Sequence, residues 1–333
     1  MRFDVVGLGL NATDVAIEVP GYPAFNSKVE FLSAARQPGG QVATALTVCQ
    51  RFGLRTKYIG RVGSDDAGRF QLESLRHEGL DLTDTRVVPD CPNQAAYIVI
   101  DRKTGERTIL WRRDPRLDIR PEELRPEMVQ EARLLHVDGH DTAAAAQAAR
   151  WAREADLPVT ADVDNIYPGL EALLEATDYL ISSESFPAAY TGESDLFRAL
   201  PRIQERYPAM KLVAATLGRD GVLGLAGGRF LYEPAFEVAC RDTTGAGDVF
   251  HGAFLYALLE GWPLARALTF SNAVAGLNCT AVGARGGIPT VAEAERLMAR
   301  GKRRLPRWRE LPAGEMQIPR SARDDKPRKK AVR

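Results

Sequence analysis

Short apolar runs that end at glycine, aspartate or threonine alternate with longer helix-patterned stretches along most of this 333-residue chain. Phe3–Leu10, Leu134–Asp138, Val159–Asp164, Tyr179–Ser182 and Leu212–Thr216 read as strands buried on both faces, and the alanine-rich stretch Thr142–Ala155 reads as one of the helices between them. Strands alternating with helices at this spacing predict an α/β fold, a three-layer Rossmann-like sandwich whose mostly parallel central sheet is covered on both faces. Open sheets of this kind collect ligands beyond the carboxyl ends of their strands. Asp14, just past the first strand, and Asp138 and Asp162, at the ends of later ones, are therefore substrate-side candidates, with an ordinary turn aspartate as the alternative at Asp14.

The polar stretch Arg241-Asp242-Thr243-Thr244-Gly245-Ala246-Gly247-Asp248 runs directly into the apolar helix pattern Ala253–Leu259. A glycine-punctuated turn at a helix start presents backbone N–H groups and the positive end of the helix dipole, which suits phosphate. A carboxylate among groups that attract anions is poorly placed to hold one, so Asp248 reads as a base working beside the phosphate. On the residues alone, capping of the helix by Asp242, Thr243 and Asp248 remains the alternative.

Asp242 to Asp248 resembles the C-terminal signature of the ribokinase-like (PfkB) carbohydrate kinases. The resemblance extends over about residues 3–300 and implies ATP-dependent phosphorylation of a hydroxyl on a sugar or sugar-like polyol, with ATP and Mg2+ as cofactors. It implies Asp248 as the catalytic base and the N–H groups of Gly245, Ala246, Gly247 and Asp248 as the anion hole. Asp14, Gly39 and Gly40 would hold the sugar, together with Thr44, which stands where the family usually has Asn. Thr216, Gly218 and Gly221 would lie by the nucleotide, and Asn272 on its adenine side. In potassium-activated relatives the positions of Asp242, Thr244 and Gly283 hold a monovalent cation, so K+ belongs to the same expectation. Ser183 and Phe186 stand where the family usually shows Asn and Glu in its magnesium region, which leaves the magnesium ligands unassigned.

Within about 94–113 the β-patterned runs Gln94–Ile100 and Arg107–Trp111 flank a hairpin turn at Asp101–Glu106, and with the run at about 15–35 they predict a small lid sheet that can cover the site, a cover that phosphoryl transfer needs to exclude water. Arg112 and Arg113, at the end of that sheet, are candidates for an anionic group on the substrate, or else solvated strand-end or dimer-contact residues. Unpaired lid edges leave room for a homodimer. A nucleoside kinase of the same fold and a catalytically silent ligand-binding homologue are the alternative functions.

Composition fits this reading. Hydrophobic residues make up 45% of the chain, enough to fill the core of one large unit. Lys plus Arg and Asp plus Glu are both 44, so no global attraction to nucleic acid or membrane is expected. The charge is uneven: residues 300–333 hold 13 basic and 4 acidic residues, net +9. A kinase domain over 1–300 followed by a basic, disordered tail at 301–333 is the expected organisation, and the tail has few aromatics to stack on nucleic acid. Cys49, Cys91, Cys240 and Cys279 show no metal or disulfide spacing and read as free thiols. With no signal peptide and no apolar run approaching the ~20 residues that span a bilayer, a cytoplasmic protein is expected.

Overall fold

The computed structural model describes residues 2–305 and the backbone of 316–317; the remainder of the basic tail lies outside the described residues. In chain order the strands are β1 (Val5–Leu8), β2 (Ala12–Val19), β3 (Ser33–Gly39), β4 (Thr56–Gly63), β5 (Thr85–Val88), β6 (Ala95–Asp101), β7 (Arg107–Arg112), β8 (Leu134–Asp138), β9 (Val159–Val163), β10 (Tyr179–Ser183), β11 (Leu212–Thr216), β12 (Val222–Ala226), β13 (Arg229–Glu233) and β14 (Met316–Gln317).

The central sheet runs in the order β14-β13-β12-β11-β10-β9-β8-β1-β4-β5. From β5 across to β11 every pair is parallel, and β12 and β13 turn back antiparallel. Parallel neighbours need long crossovers, and helices such as Thr142–Glu154 and Leu196–Arg206 supply them. The inner strands β1, β8 and β9 are buried at every residue, as a sheet covered on both faces requires. One face packs on an alanine- and leucine-rich layer that includes Ala145, Ala149, Leu173 and Leu200. The other carries the Gln41–Arg51, Ala246–Leu259 and Leu264–Asn278 helices, whose close approach is permitted by small residues: a Cβ on Gly252 would lie 2.5 Å from the Ala45 carbonyl.

A separate four-stranded sheet, β3-β2-β6-β7, forms the lid. One detail differs from the sequence expectation. Asp14 belongs to β2, in register with Gln37 of β3 and Ala96 of β6, and is not in a turn after the first strand. The double glycine follows at once, since β3 ends at Gly39 and the Gln41 helix starts after Gly40. Lid strand β3 and the double-glycine turn are thus one continuous element.

All four cysteines are free thiols. Among the described residues no helix is long and apolar enough to cross a membrane. The chain just past Arg300 stays attached to the fold: Lys302 O accepts from Glu237 N at 2.8 Å, and Arg303 pairs with the buried Glu233 at 2.8 Å.

Candidate active site

A cavity of about 630 Å³ lies between the lid and the carboxyl ends of the central strands. The sequence from Thr243 through Asp248 lines its middle, Asp14 and Gly40 one end, and Thr216, Gly218, Gly221 and Asn272 the other. Residues remote in sequence are therefore gathered around one space, as the sheet topology predicts.

The turn into the Ala246–Leu259 helix owes its shape to Gly245. This N-cap residue has φ +71°, in the left-handed region, and a Cβ there would fall 2.6 Å from both Cα and O of Ala284. No side chain caps the helix. The Gly245 carbonyl receives the first helical bond, from Val249 N at 2.9 Å, so the amides of Gly247 and Asp248 precede the first intrahelical donor, whereas Ala246 N donates to the Thr243 carbonyl at 3.2 Å. Gly247 is exposed to the cavity, and a Cβ built on it meets nothing within 4 Å. Thr244 Oγ1, nearby, is buried without a partner. Open amides, an empty cradle and an orphaned hydroxyl fit a phosphate-bearing ligand.

Asp248 lies in the first turn of this helix and is half-buried, its exposed surface facing the cavity. Burial and the neighbouring Asp162 carboxylate push its carboxyl up to about 7, against the opposing pull of His251 and Arg107. Asp14, at 6% exposure, sits against Gly39, where a Cβ would come within 2.0 Å of its Oδ2. Burial raises Asp14 to about 6, with Arg285 drawing it back and Asp242 adding to the rise. Arg285 itself is buried: its Nε donates to Thr44 Oγ1 at 3.1 Å and one terminal nitrogen to the Gly39 carbonyl at 3.0 Å. The Thr44 hydroxyl is thereby engaged behind the double glycine, and neither Thr44 nor Gly39 lines the cavity.

Asp242, Thr244 and Gly283 are brought together. Asp242 accepts from Thr244 N at 2.8 Å and from Gly283 N at 2.7 Å. At the far end, the Gly218–Asp220 turn is closed by the bond from Leu217 N to Gly221 O at 2.7 Å, and Asn272 donates to the Glu233 carbonyl at 2.8 Å. Among the described residues no group of three or more His, Cys, Asp or Glu is arranged to hold a metal ion. Magnesium bound chiefly by phosphates and water needs no such group.

The lid is docked on the turn. Thr243 donates to the Gly105 carbonyl through its amide at 3.2 Å and its hydroxyl at 3.1 Å. Arg107 of β7 donates to Thr243 Oγ1 at 2.9 Å, and Arg241 pairs with Glu18 of β2 at 3.4 Å. Neither Arg112 nor Arg113 lines the cavity. Arg112 is exposed, and Arg113 is half-buried, paired with the buried Asp141 at 2.9 Å and donating to the Leu117 carbonyl at 2.7 Å. Removing Arg113 leaves the buried Asp141 without its cation, so Arg113→Ala is expected to cost roughly 3–5 kcal/mol in urea unfolding with substrate KM unchanged. A raised KM at full stability would return Arg113 to the substrate site.

Several cavity residues were not singled out from the sequence: Arg107, the ring cluster Trp111, His140 and Tyr167, and His251. Tyr167 Oη lies 2.9 Å from His140 Nε2 and donates to Asp164 at 3.1 Å, and Trp111 meets the His140 ring edge-on. Phe186 is buried at 1% exposure and stacked on Tyr190, so the position that carries Glu in the family's pattern belongs here to the core.

The pfkB carbohydrate kinase family matches residues 3–291. A ribokinase from Bacillus subtilis is 27% identical over 88% of this chain and 98% of its own, and a fructokinase from Klebsiella pneumoniae is 30% identical over 78% and 91%. Among solved structures, a candidate ribokinase from Agrobacterium tumefaciens superposes with a TM-score of 0.83 at 29% identity, over 90% of this chain and 98% of that one. The ribokinase of Arabidopsis thaliana solved with ribose and ATP shares the fold, with a TM-score of 0.74 at 24% identity over 90% and 99%.

Proposed function

The chain belongs to the pfkB family of carbohydrate kinases, and we propose that it transfers the γ-phosphoryl group of ATP to a hydroxyl of a sugar or sugar-like polyol. The observation that carries this reading is the place of Asp248, in the cavity floor beside the open amides of the helix start. Asp14, backed by the Gly39–Gly40 turn, holds substrate hydroxyls and presents one of them to Asp248. Asp248 takes the proton as that oxygen attacks the phosphorus. The N–H groups of Gly245, Gly247 and Asp248 receive the charge on the transferring phosphoryl group, the Ala246 amide being engaged by the Thr243 carbonyl at 3.2 Å, and Arg107 adds a lid-borne cation beside Thr243. The nucleotide lies along Thr216, Gly218 and Gly221, with its base toward Asn272 and the apolar wall formed by Ala275 and Gly276. Magnesium, when bound, would offset the negative charge of the nucleotide's phosphates. Asp242, Thr244 and Gly283, which the Asp242 carboxylate brings together, are the residues that would hold a monovalent cation.

Lid docking gives the water exclusion the reaction needs, since Gly105 and Arg107 reach the turn across the cavity mouth. ADP release measured over a panel of sugars, polyols and nucleosides tests the assignment. Turnover with a nucleoside alone would overturn the sugar reading, and binding without turnover would overturn the kinase reading.

A base with a carboxyl at about 7 fixes the pH dependence. Asp248 must be ionised to accept a proton, so kcat/KM is expected to fall about tenfold per pH unit below about 7. Initial rates at limiting sugar between pH 5 and 9 read this limb directly. A profile flat down to pH 5 would exclude a base of this strength.

A further inference from the structure

The sheet face turned toward the Ala246–Leu259 helix carries a buried polar stripe. Register between β8 and β9 pairs His136 with Thr160 and Asp138 with Asp162, and partners in register point to the same side. His136 Nδ1 lies 2.9 Å from Thr160 Oγ1, and Asp138 accepts from the amides of Leu10 at 2.6 Å and His140 at 3.2 Å. Asp162 is met from the helix by His251, whose Nε2 is 3.2 Å from Oδ1. Exposures of 7% for Asp162 and 3% for His251 leave little water to solvate the pair, so each depends on the other as its partner. Asp162 and His251 line the cavity, and His136 and Thr160 do not. His251 follows Asp248 by one helical turn, on the same side of the helix.

We propose that Asp162 and His251 are a positioning pair for Asp248: His251 fixes the Asp162 carboxylate in the cavity floor, and that fixed negative charge sets the strength and direction of the base. The proposal rests on the reading of Asp248 as the base. The titratable and charged groups around Asp248 are Asp162 from β9, His251 from its own helix, Arg107 from the lid strand β7, Asp14 from β2 and Arg285 from the loop after the Leu264–Asn278 helix. The two carboxylates raise its proton affinity and His251 and Arg107 lower it, with Asp162 the largest of these charges. Burial works against an ionised Asp162, and the contact with His251, joined by His136 and Gln41, more than offsets it, so Asp162 ionises before Asp248 does. A neighbour already negative is what makes Asp248 hold its proton until near neutral pH.

The test compares kcat/KM against pH for the full chain and its Asp162→Asn, His251→Gln, His251→Leu and Asp248→Asn variants. Folding is verified by near-UV circular dichroism and ADP affinity. Asp162→Asn keeps the side-chain shape and removes the charge. Its acid limb should move about one pH unit lower, with a plateau about tenfold down because the base is weaker. His251→Gln retains an N–H donor for Asp162 and should turn over faster than His251→Leu. A merely structural pair would lower the plateau without moving the limb. An unmoved limb in folded Asp162→Asn, with Asp248→Asn inactive, overturns the pair and leaves the base standing. Turnover by Asp248→Asn overturns the base and the pair with it. Should Asp162→Asn not fold, equal rates for the two His251 variants overturn the proposal, and faster turnover by His251→Gln supports it.

Discussion

Asp248→Asn is expected to lower kcat by roughly 10²- to 10⁴-fold, the range a positioned general base contributes, while ADP affinity stays near that of the wild type. Asparagine keeps the shape and the helix-start position of the side chain and loses only the ability to take a proton. The same variant should be more stable than the wild type in alkaline solution, and the sign follows from the direction of the shift. Asp248 binds its proton more tightly in the fold than the ordinary 3.8, holding it up to about 7. Its stabilising share is therefore complete below about pH 4 and is lost as pH rises through 7, where the fold must carry an ionised carboxylate beside Asp162. Removing that ionisation should raise Tm at pH 8, by about 2–4 °C for each kcal/mol relieved, and the gain should shrink toward pH 5. Thermal melts at the two pH values, with single-turnover rates, decide the matter. Near wild-type turnover would rule out Asp248 as the base, and a Tm gain equal at both pH values would rule out its strained ionisation.

Much of this site could be read in the sequence because its chemistry is local. The turn Asp242–Asp248 carries its signal in adjacent residues: glycines that permit the backbone path, and a helix start directly behind them. What depended on strand phase was harder to read. Residues of a strand alternate between faces, and on β7 it is Arg107, Ile109 and Trp111 that reach the cavity. Arg112 is in the opposite phase and faces away, so the arginine that sequence proximity favours is not the one the lid presents. The alternation was present in Arg107–Trp111, but nothing in the sequence said which phase faced inward until β2 and β6 fixed the sheet. Asp14 shows the same limit. Its place near the first strand was legible, whereas its membership of a lid strand depends on pairing with β3 and β6. The Asp162–His251 contact joins a central strand to a helix far along the chain, and neither segment announces the other. Phe186 became interpretable only once its stacking on Tyr190 put it in the core.

Gly247→Ala should separate the phosphate site from the fold that supports it. Gly247 is the second residue of the Ala246–Leu259 helix, and a Cβ there meets no atom of the protein within 4 Å. Alanine is preferred over glycine in helices by up to ~1 kcal/mol, so stability should hold or rise slightly. The methyl group instead enters the space through which a phosphate must approach the Gly247 and Asp248 amides. Loss of one such donor contact commonly costs about 10²–10³-fold in rate, and kcat/KM should fall by that order with Tm undiminished. Gly245→Ala is the internal contrast. Its φ of +71° and the approach of a Cβ to 2.6 Å from Ala284 demand a shift of the backbone, so that variant should lose stability as well as activity. A capping role alone would predict the reverse order for the first variant, with stability changed and catalysis spared. Measuring Tm and kcat/KM for both therefore asks whether these glycines shape a helix start or a phosphate site. A Gly247→Ala enzyme with unchanged kcat/KM would mean that the transferred group does not rest on this turn.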